Sequence, residues 1–288
     1  MLNTTLLIID PQNDFMDAGG ADLPLVGDTR LAPALPVPGA MSDMARLSQF
    51  IEATGEWLSD IVVTLDSHPY VAIERTPFWR DQNGREVAPF TTITAEAVRA
   101  GTYSPMHSPE IVLRQLEQLE AQGQALMVWP VHCVTGTWGH NIQALLMDRL
   151  NQWECQTGKP VRKVAKGEYP FSEHFGVFEA EVPLDHVPST QFNTSLARTL
   201  VEDTDVLLVA GEAASHCVAA SVEQLIQSMN TKGREVLHYK DKLRIILLMD
   251  CMSPVTGFES AANDFFARAE AAGVERMTTQ EVLAQGWI

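Results

Sequence analysis

Cysteine is scarce in this chain. Its 288 residues include four, Cys133, Cys155, Cys217 and Cys251. No two of them share a Cys-x-x-Cys or zinc-finger spacing, so any metal site has to come from histidines and carboxylates. A chain of this length needs no disulfide staples, and scattered cysteines suit a reducing compartment, so the cytoplasm is the expected location. Basic residues are also few: 20 Lys and Arg stand against 37 Asp and Glu, a formal charge of −17. Such a field repels phosphate backbones and argues against nucleic acid as a partner. No apolar run reaches the roughly 18–20 residues that span a bilayer, so no membrane partner is expected. The opening MLNTTLLIID has neither the basic flank nor the apolar length of an export signal. A Gly-rich phosphate turn is missing after the first apolar run, where DPQNDF stands instead. This speaks against a dinucleotide-binding oxidoreductase.

What is present is a globular pattern, 45% hydrophobic. Short apolar runs alternate with longer amphipathic stretches. TLLIID, DIVVTLD, ALMVWP, PVRKVAKG, DVLLVAG and LRIILLMD read as strands, and VERMT closes the series. Helical spacing covers 41–58, SPEIVLRQLEQLEAQG, SHCVAASVEQLIQSM and GFESAANDFFARAEAAG, with TQEVLAQG as a short last helix. Strands that are apolar throughout and alternate with helices predict an α/β fold whose parallel sheet is covered on both faces. We expect one domain over residues 1–288. Two stretches break the rhythm, 69–108 and 151–160, and both are expected as loop insertions at the ligand end of the sheet.

Ligands of open parallel sheets sit beyond the carboxyl ends of the strands. The polar side chains expected there are Asp10, Asp66 with Ser67 and His68, His132, Lys166, Cys217 and Asp250. Each has a plainer role available: turn or cap residue, solvated lysine, core histidine, small buried thiol. Their recurrence at successive strand ends favours a site, because the set holds a nucleophile, a base, a cation and metal-ligand types.

The stretches LLIIDPQNDFMDAGG, VVTLDSHP, VWPVHCVTGTWG, KVAKGEYPF, LLVAGEAASHCVAASV and AAGVERMTTQEVL resemble, in content and order, the isochorismatase-like cysteine hydrolases, and within them the nicotinamidase branch. The resemblance implies a three-layer α/β/α sandwich on a mainly parallel six-stranded sheet. It implies Asp10, Lys166 and Cys217 as the catalytic residues, and a cis peptide at Ala213–Ala214. It further implies an oxyanion hole from the backbone N–H groups of Ala213 and Cys217, with Lys166 and a helix N-terminus favouring the thiolate. The substrate would be a small amide, nicotinamide first, held between Phe15 and Trp129, with Tyr169 as a further pocket residue. Self-association is compatible with the family, although no interface is named by the sequence.

The same resemblance implies one divalent ion, zinc, iron or manganese, on Asp66, His68 and His132, and no organic cofactor. The further histidine that many members carry after the Asp-x-His is missing. Glu74 is the nearest carboxylate at a suitable offset to replace it. Other outcomes stay open: an amidase or N-carbamoyl hydrolase acting on a different amide, or a non-catalytic binding scaffold. Vinyl-ether-cleaving relatives typically lack the cysteine, so Cys217 weighs against them.

Overall fold

Thr4–Ile9 is buried at every position, which is what an apolar run without alternation requires when both faces of a sheet are covered. In the computed structural model, which describes residues 2–230 and 243–286, this strand lies inside a six-stranded sheet. The strand order is Glu275–Met277, Arg244–Leu248, Val206–Gly211, Thr4–Ile9, Leu58–Asp66, Arg162–Lys166. All five pairings are parallel. One face packs Leu6, Ile8 and Val63 against Met44, Leu47 and Ile51 of the helix Ala40–Thr54 and against Leu146, Leu150 and Trp153 of the helix Ala144–Thr157. The other face packs Leu7, Ile9 and Val209 against Leu196 and Leu200 of Thr194–Val201, Val218 and Val222 of Cys217–Asn230, and Phe265 of Glu259–Ala271. The three expected layers are present.

Two expectations need correction. Residues 151–160 are not a loop insertion, because Asn151–Thr157 is the last half of the helix Ala144–Thr157. Leu150 and Trp153 are buried on its sheet side, and Trp153 Nε1 donates to Gly55 O at 3.1 Å. The polar residues that suggested a loop form its solvent face. Likewise Leu126–Val128 is a strand outside the main sheet, paired antiparallel with Thr91–Ile93. Arg162–Lys166 takes the place beside Leu58–Asp66, and the sixth place goes to Glu275–Met277.

The stretch 69–108 is folded rather than trailing. Trp79–Asp81 pairs with Tyr103–Pro105, and a short helix, Ala95–Arg99, is capped by the Thr94 hydroxyl. Ile73, Phe78, Trp79 and Ile93 share a separate core with Val112, Leu116, Leu126 and Val128. This lobe is stitched to the main body next to the strand ends: Ile73 N–H donates to Pro170 O at 2.8 Å and Trp129 N–H to Glu74 O at 2.7 Å. No helix among the described residues is long and apolar enough to cross a membrane. Asp250 is structural, accepting from Thr279 N–H at 2.8 Å and from its hydroxyl at 2.7 Å.

Trp79 is fully buried in the lobe and donates through Nε1 to Ile73 O at 2.6 Å. Replacing it by alanine is expected to cost about 3–5 kcal/mol of unfolding free energy. Chemical denaturation followed by the remaining tryptophans measures this, and a loss below about 1 kcal/mol would show that the lobe core carries little of the stability.

Candidate active site

The first strand ends at Asp10, whose backbone is left-handed at φ +43°. The Thr64 hydroxyl fixes it, accepting from Asp10 N–H at 3.0 Å and donating to Oδ1 at 2.5 Å. The parallel register sets Asp66 beside Lys166 at the ends of their strands. Lys166 Nζ then lies 2.8 Å from Asp66 Oδ1, 3.0 Å from Asp10 Oδ2 and 3.7 Å from Cys217 Sγ. Three side chains remote in sequence, Asp10, Asp66 and Cys217, therefore meet at one buried ammonium.

Gln12 ties two strand ends together. Its Nε2 donates to Asp66 O at 2.8 Å and its Oε1 accepts from Asp66 N–H at 2.8 Å. Gly167 allows the chain to turn past His68: with φ +81°, a Cβ there would lie 2.3 Å from the imidazole Cε1. The turn before Cys217 depends on Gly211, whose Cβ position would fall 2.0 Å from Ile9 O. The cis peptide of this turn is Glu212–Ala213, one bond earlier than expected. Glu212 N–H is anchored to Ile9 O and Ala214 N–H to Ser253 O, each at 2.8 Å, so the cis bond falls between these two anchors. Among the described residues, the N–H groups of Ala213 and Cys217 have no hydrogen-bond partner, whereas the Val218 N–H donates to Ala213 O at 3.2 Å.

The charge states follow from burial set against neighbours. Burial alone would lower the Lys166 pKa, but Asp10 and Asp66 outweigh it and hold the group well above its ordinary value. Burial raises Asp10, opposed by Lys166. Burial would raise Asp66 too, but His68, Lys166 and Arg75 hold it well below the usual carboxylate range. Burial pushes the Cys217 thiol well up, with Lys166 opposing and Asp10 and Asp66 adding to it. The resting sulfur is therefore a thiol, not the thiolate that a helix N-terminus and a lysine alone would suggest.

Above Cys217 opens a small cavity of about 30 Å³. Phe15, Trp129, Phe175, His216 and Val255 line its sides. His216 stands edge-on to Trp129 at 5.0 Å and to Phe258 at 4.7 Å. Tyr169 is not among the lining residues; the chain turns away at Gly167 and the Tyr169 ring packs on Phe171 at 5.7 Å. Phe175 supplies the aromatic surface instead.

The far end of the cavity is polar. His68 Nδ1 lies 3.0 Å from Asp66 Oδ1, and its Nε2 3.3 Å from Glu74 Oε1. Of the residues expected to hold a metal ion, His68 and Glu74 come together with Glu173, their ligand atoms within 4.8 Å of one another. Both nitrogens of His68, both oxygens of Glu74 and Oε2 of Glu173 are buried without a well-formed hydrogen bond, although Glu74 Oε1 lies 3.3 Å from Arg75 Nε, so the three residues could hold a cation. Asp66 and His132 do not fit that role as they stand. Arg75, 1% exposed, has Nη2 3.3 Å from Asp66 Oδ2 and Nη1 3.0 Å from His132 Nε2. Burial, then the nearby guanidinium, hold His132 well below the ordinary histidine pKa. Glu173 and Arg75 escaped the sequence analysis. Their only signals were carboxylate–imidazole and carboxylate–guanidinium neighbours in SEHF and IERT.

No family model matches the chain. A curated relative, the nicotinamidase of Saccharomyces cerevisiae, is 26% identical over 217 residues, 75% of this chain and 78% of the relative. The crystal structure of the yeast nicotinamidase bound to the inhibitor nicotinaldehyde superposes with a TM-score of 0.62 at 21% identity, covering 96% of this chain and 99% of that one. The chain has the nicotinamidase fold. An Acinetobacter nicotinamidase/pyrazinamidase reaches a TM-score of 0.60 at 16% identity, covering 98% and 99% of the two chains. The zinc complex of the Pyrococcus horikoshii pyrazinamidase reaches 0.54 at 16% identity, covering 96% and 99%.

Burial lowers the pKa of His216 from 6.5 to about 4. A histidine held neutral in the folded state binds a proton more readily once unfolded. Its contribution is thus complete above pH 6.5 and is lost as the pH falls toward 4, at roughly 1.4 kcal/mol for each pH step of one between those limits. His216→Phe is expected to flatten the acid limb of stability over that range, read by denaturant unfolding at stepped pH. An unchanged slope would mean that His216 protonates freely in the fold.

Proposed function

We propose that this chain is a cysteine amidohydrolase whose substrate is nicotinamide, converted with water to nicotinate and ammonia. The observation that carries this reading is the approach of Lys166 Nζ to both Asp10 (3.0 Å) and Cys217 (3.7 Å), with Cys217 lining an aromatic-walled cavity. The similarity to nicotinamidases supports the substrate class.

In the proposed reaction the Cys217 thiol gives its proton to Asp10 as sulfur attacks the amide carbonyl. The oxyanion is met by the free N–H groups of Ala213 and Cys217, each worth about 3 kcal/mol to the transition state. Collapse breaks the C–N bond, and Asp10 returns the proton to the leaving nitrogen, which departs as ammonia. Asp10 next takes a proton from water, the hydroxyl adds to the thioester, and the acid leaves while sulfur recovers its proton. Lys166 stays charged throughout. It stabilises the sulfur anion in passing and holds the Asp10 carboxylate in reach. Phe15 and Trp129 flank the ring, and Phe175 adds to the wall.

A divalent ion, zinc, iron or manganese, would be held by His68, Glu74 and Glu173 and would supply a positive pole for an acceptor atom of the substrate. No organic cofactor is needed, because every proton and bond is accounted for by the chain and water. The cysteines are all free, in keeping with a cytoplasmic enzyme of nicotinamide recycling.

Ammonia release from nicotinamide, pyrazinamide and a ureido compound tests the reading. Cys217→Ala and Asp10→Asn should each lower kcat/KM on nicotinamide by at least about a thousandfold. Turnover that survives loss of the thiol sinks the mechanism. Turnover of ureido or aliphatic amides alone moves the assignment to a related hydrolase.

A further inference from the structure

Arg75 is the least expected group in the cavity. It lies on the segment that the 69–108 lobe pins beside Trp129, through the bridge between residues 75 and 129 and the Trp129 N–H bond to Glu74 O at 2.7 Å. Its guanidinium is almost completely buried, although a buried cation is costly unless it is paired. Here the pairing is dense. Nη2 faces Asp66 Oδ2 at 3.3 Å, Nε faces Glu74 Oε1 at 3.3 Å, and Nη1 lies 2.6 and 3.0 Å from Nδ1 and Nε2 of His132. His132 Nδ1 is also 2.8 Å from Pro130 O. A ring that donates there through Nδ1 leaves the Nε2 lone pair to accept from Arg75. Asp66 Oδ1 is engaged by Lys166 at 2.8 Å. The lone pairs that an ion between Asp66 and His132 would need are therefore already taken by fixed N–H donors.

We infer that Arg75 is a positioning residue whose guanidinium stands in place of a metal ion between Asp66 and His132, so that these two groups hold a protein cation. This rests on the amide-site reading of the cavity and deepens it. A guanidinium offers directed N–H donors on a planar fork and no vacant coordination position. Any divalent ion is confined to the His68, Glu74 and Glu173 side.

Cobalt(II) affinity, measured by competition with a chromophoric chelator on the full-length chain, tests this without requiring turnover. In the native chain His132→Ala should weaken cobalt binding by much less than the roughly tenfold that loss of a ligand costs, because His132 faces Arg75 and not the ion. With Arg75→Ala, cobalt binding should tighten, and adding His132→Ala should then weaken it at least about tenfold, as loss of a ligand does. Arg75→Gln serves if the alanine variant does not fold, which circular dichroism reports. The inference is overturned if His132→Ala weakens cobalt binding about tenfold or more in the native background, or if the folded Arg75 variants gain no binding that depends on His132. Absence of ammonia release would instead remove the amidase reading and leave the cobalt results standing.

Discussion

One buried ammonium organises this molecule. Lys166 Nζ is shared by Asp10, Asp66 and Cys217. Breaking a buried ion pair from one side leaves an unpaired charge and typically costs about 3–5 kcal/mol. The three strands that end at Asp10, Asp66 and Lys166 therefore have to stop in step. A register slip of one residue between Leu58–Asp66 and Arg162–Lys166 would turn the lysine to the opposite face of the sheet. The sheet core and the site thus constrain each other: apolar layers choose the register, and the register brings opposite charges within contact.

The second constraint comes from the 69–108 lobe. It has its own core of Phe78, Trp79, Ile93 and Leu116. The lobe delivers Glu74 and Arg75 to the polar end of the cavity and fixes Trp129 in its aromatic side. The cavity consequently has two chemically distinct ends. One holds a thiol with a base and a free pair of N–H groups. The other holds carboxylates, imidazoles and a guanidinium. In the proposed reading, a flat amide with a ring would lie between these two ends.

Resting protonation in the site follows from competition between burial and neighbours. Lysine keeps its proton because two carboxylates face it, and Asp66 stays ionised because three cationic or donor groups face it. Cys217 is buried and faces carboxylates as well as the ammonium, so burial prevails. A helix N-terminus and one lysine do not make a resting thiolate in such a place. In the proposed reaction the proton therefore leaves sulfur as the substrate is attacked.

The sequence by itself determined the layered α/β fold, through apolar strands without alternation, and it marked Asp10, Lys166 and Cys217, because strand ends are where such sheets expose polar groups. Strand-end position also marked His68, and the resemblance added Glu74, Phe15 and Trp129; all four line one cavity. What the sequence could not carry was partner choice. Leu126–Val128 has the composition of a main-sheet strand but pairs with Thr91–Ile93, because pairing depends on which edge is free. Residues 151–157 looked like a loop because a helix end facing water is polar on most of its surface. Only the tertiary structure set Arg75 between Asp66 and His132, moved Tyr169 out of the cavity and brought in Glu173 and Phe175. These are contacts between segments far apart in the chain, fixed by packing of the lobe and by single turns such as that at Gly167. Local spacing carries no record of them.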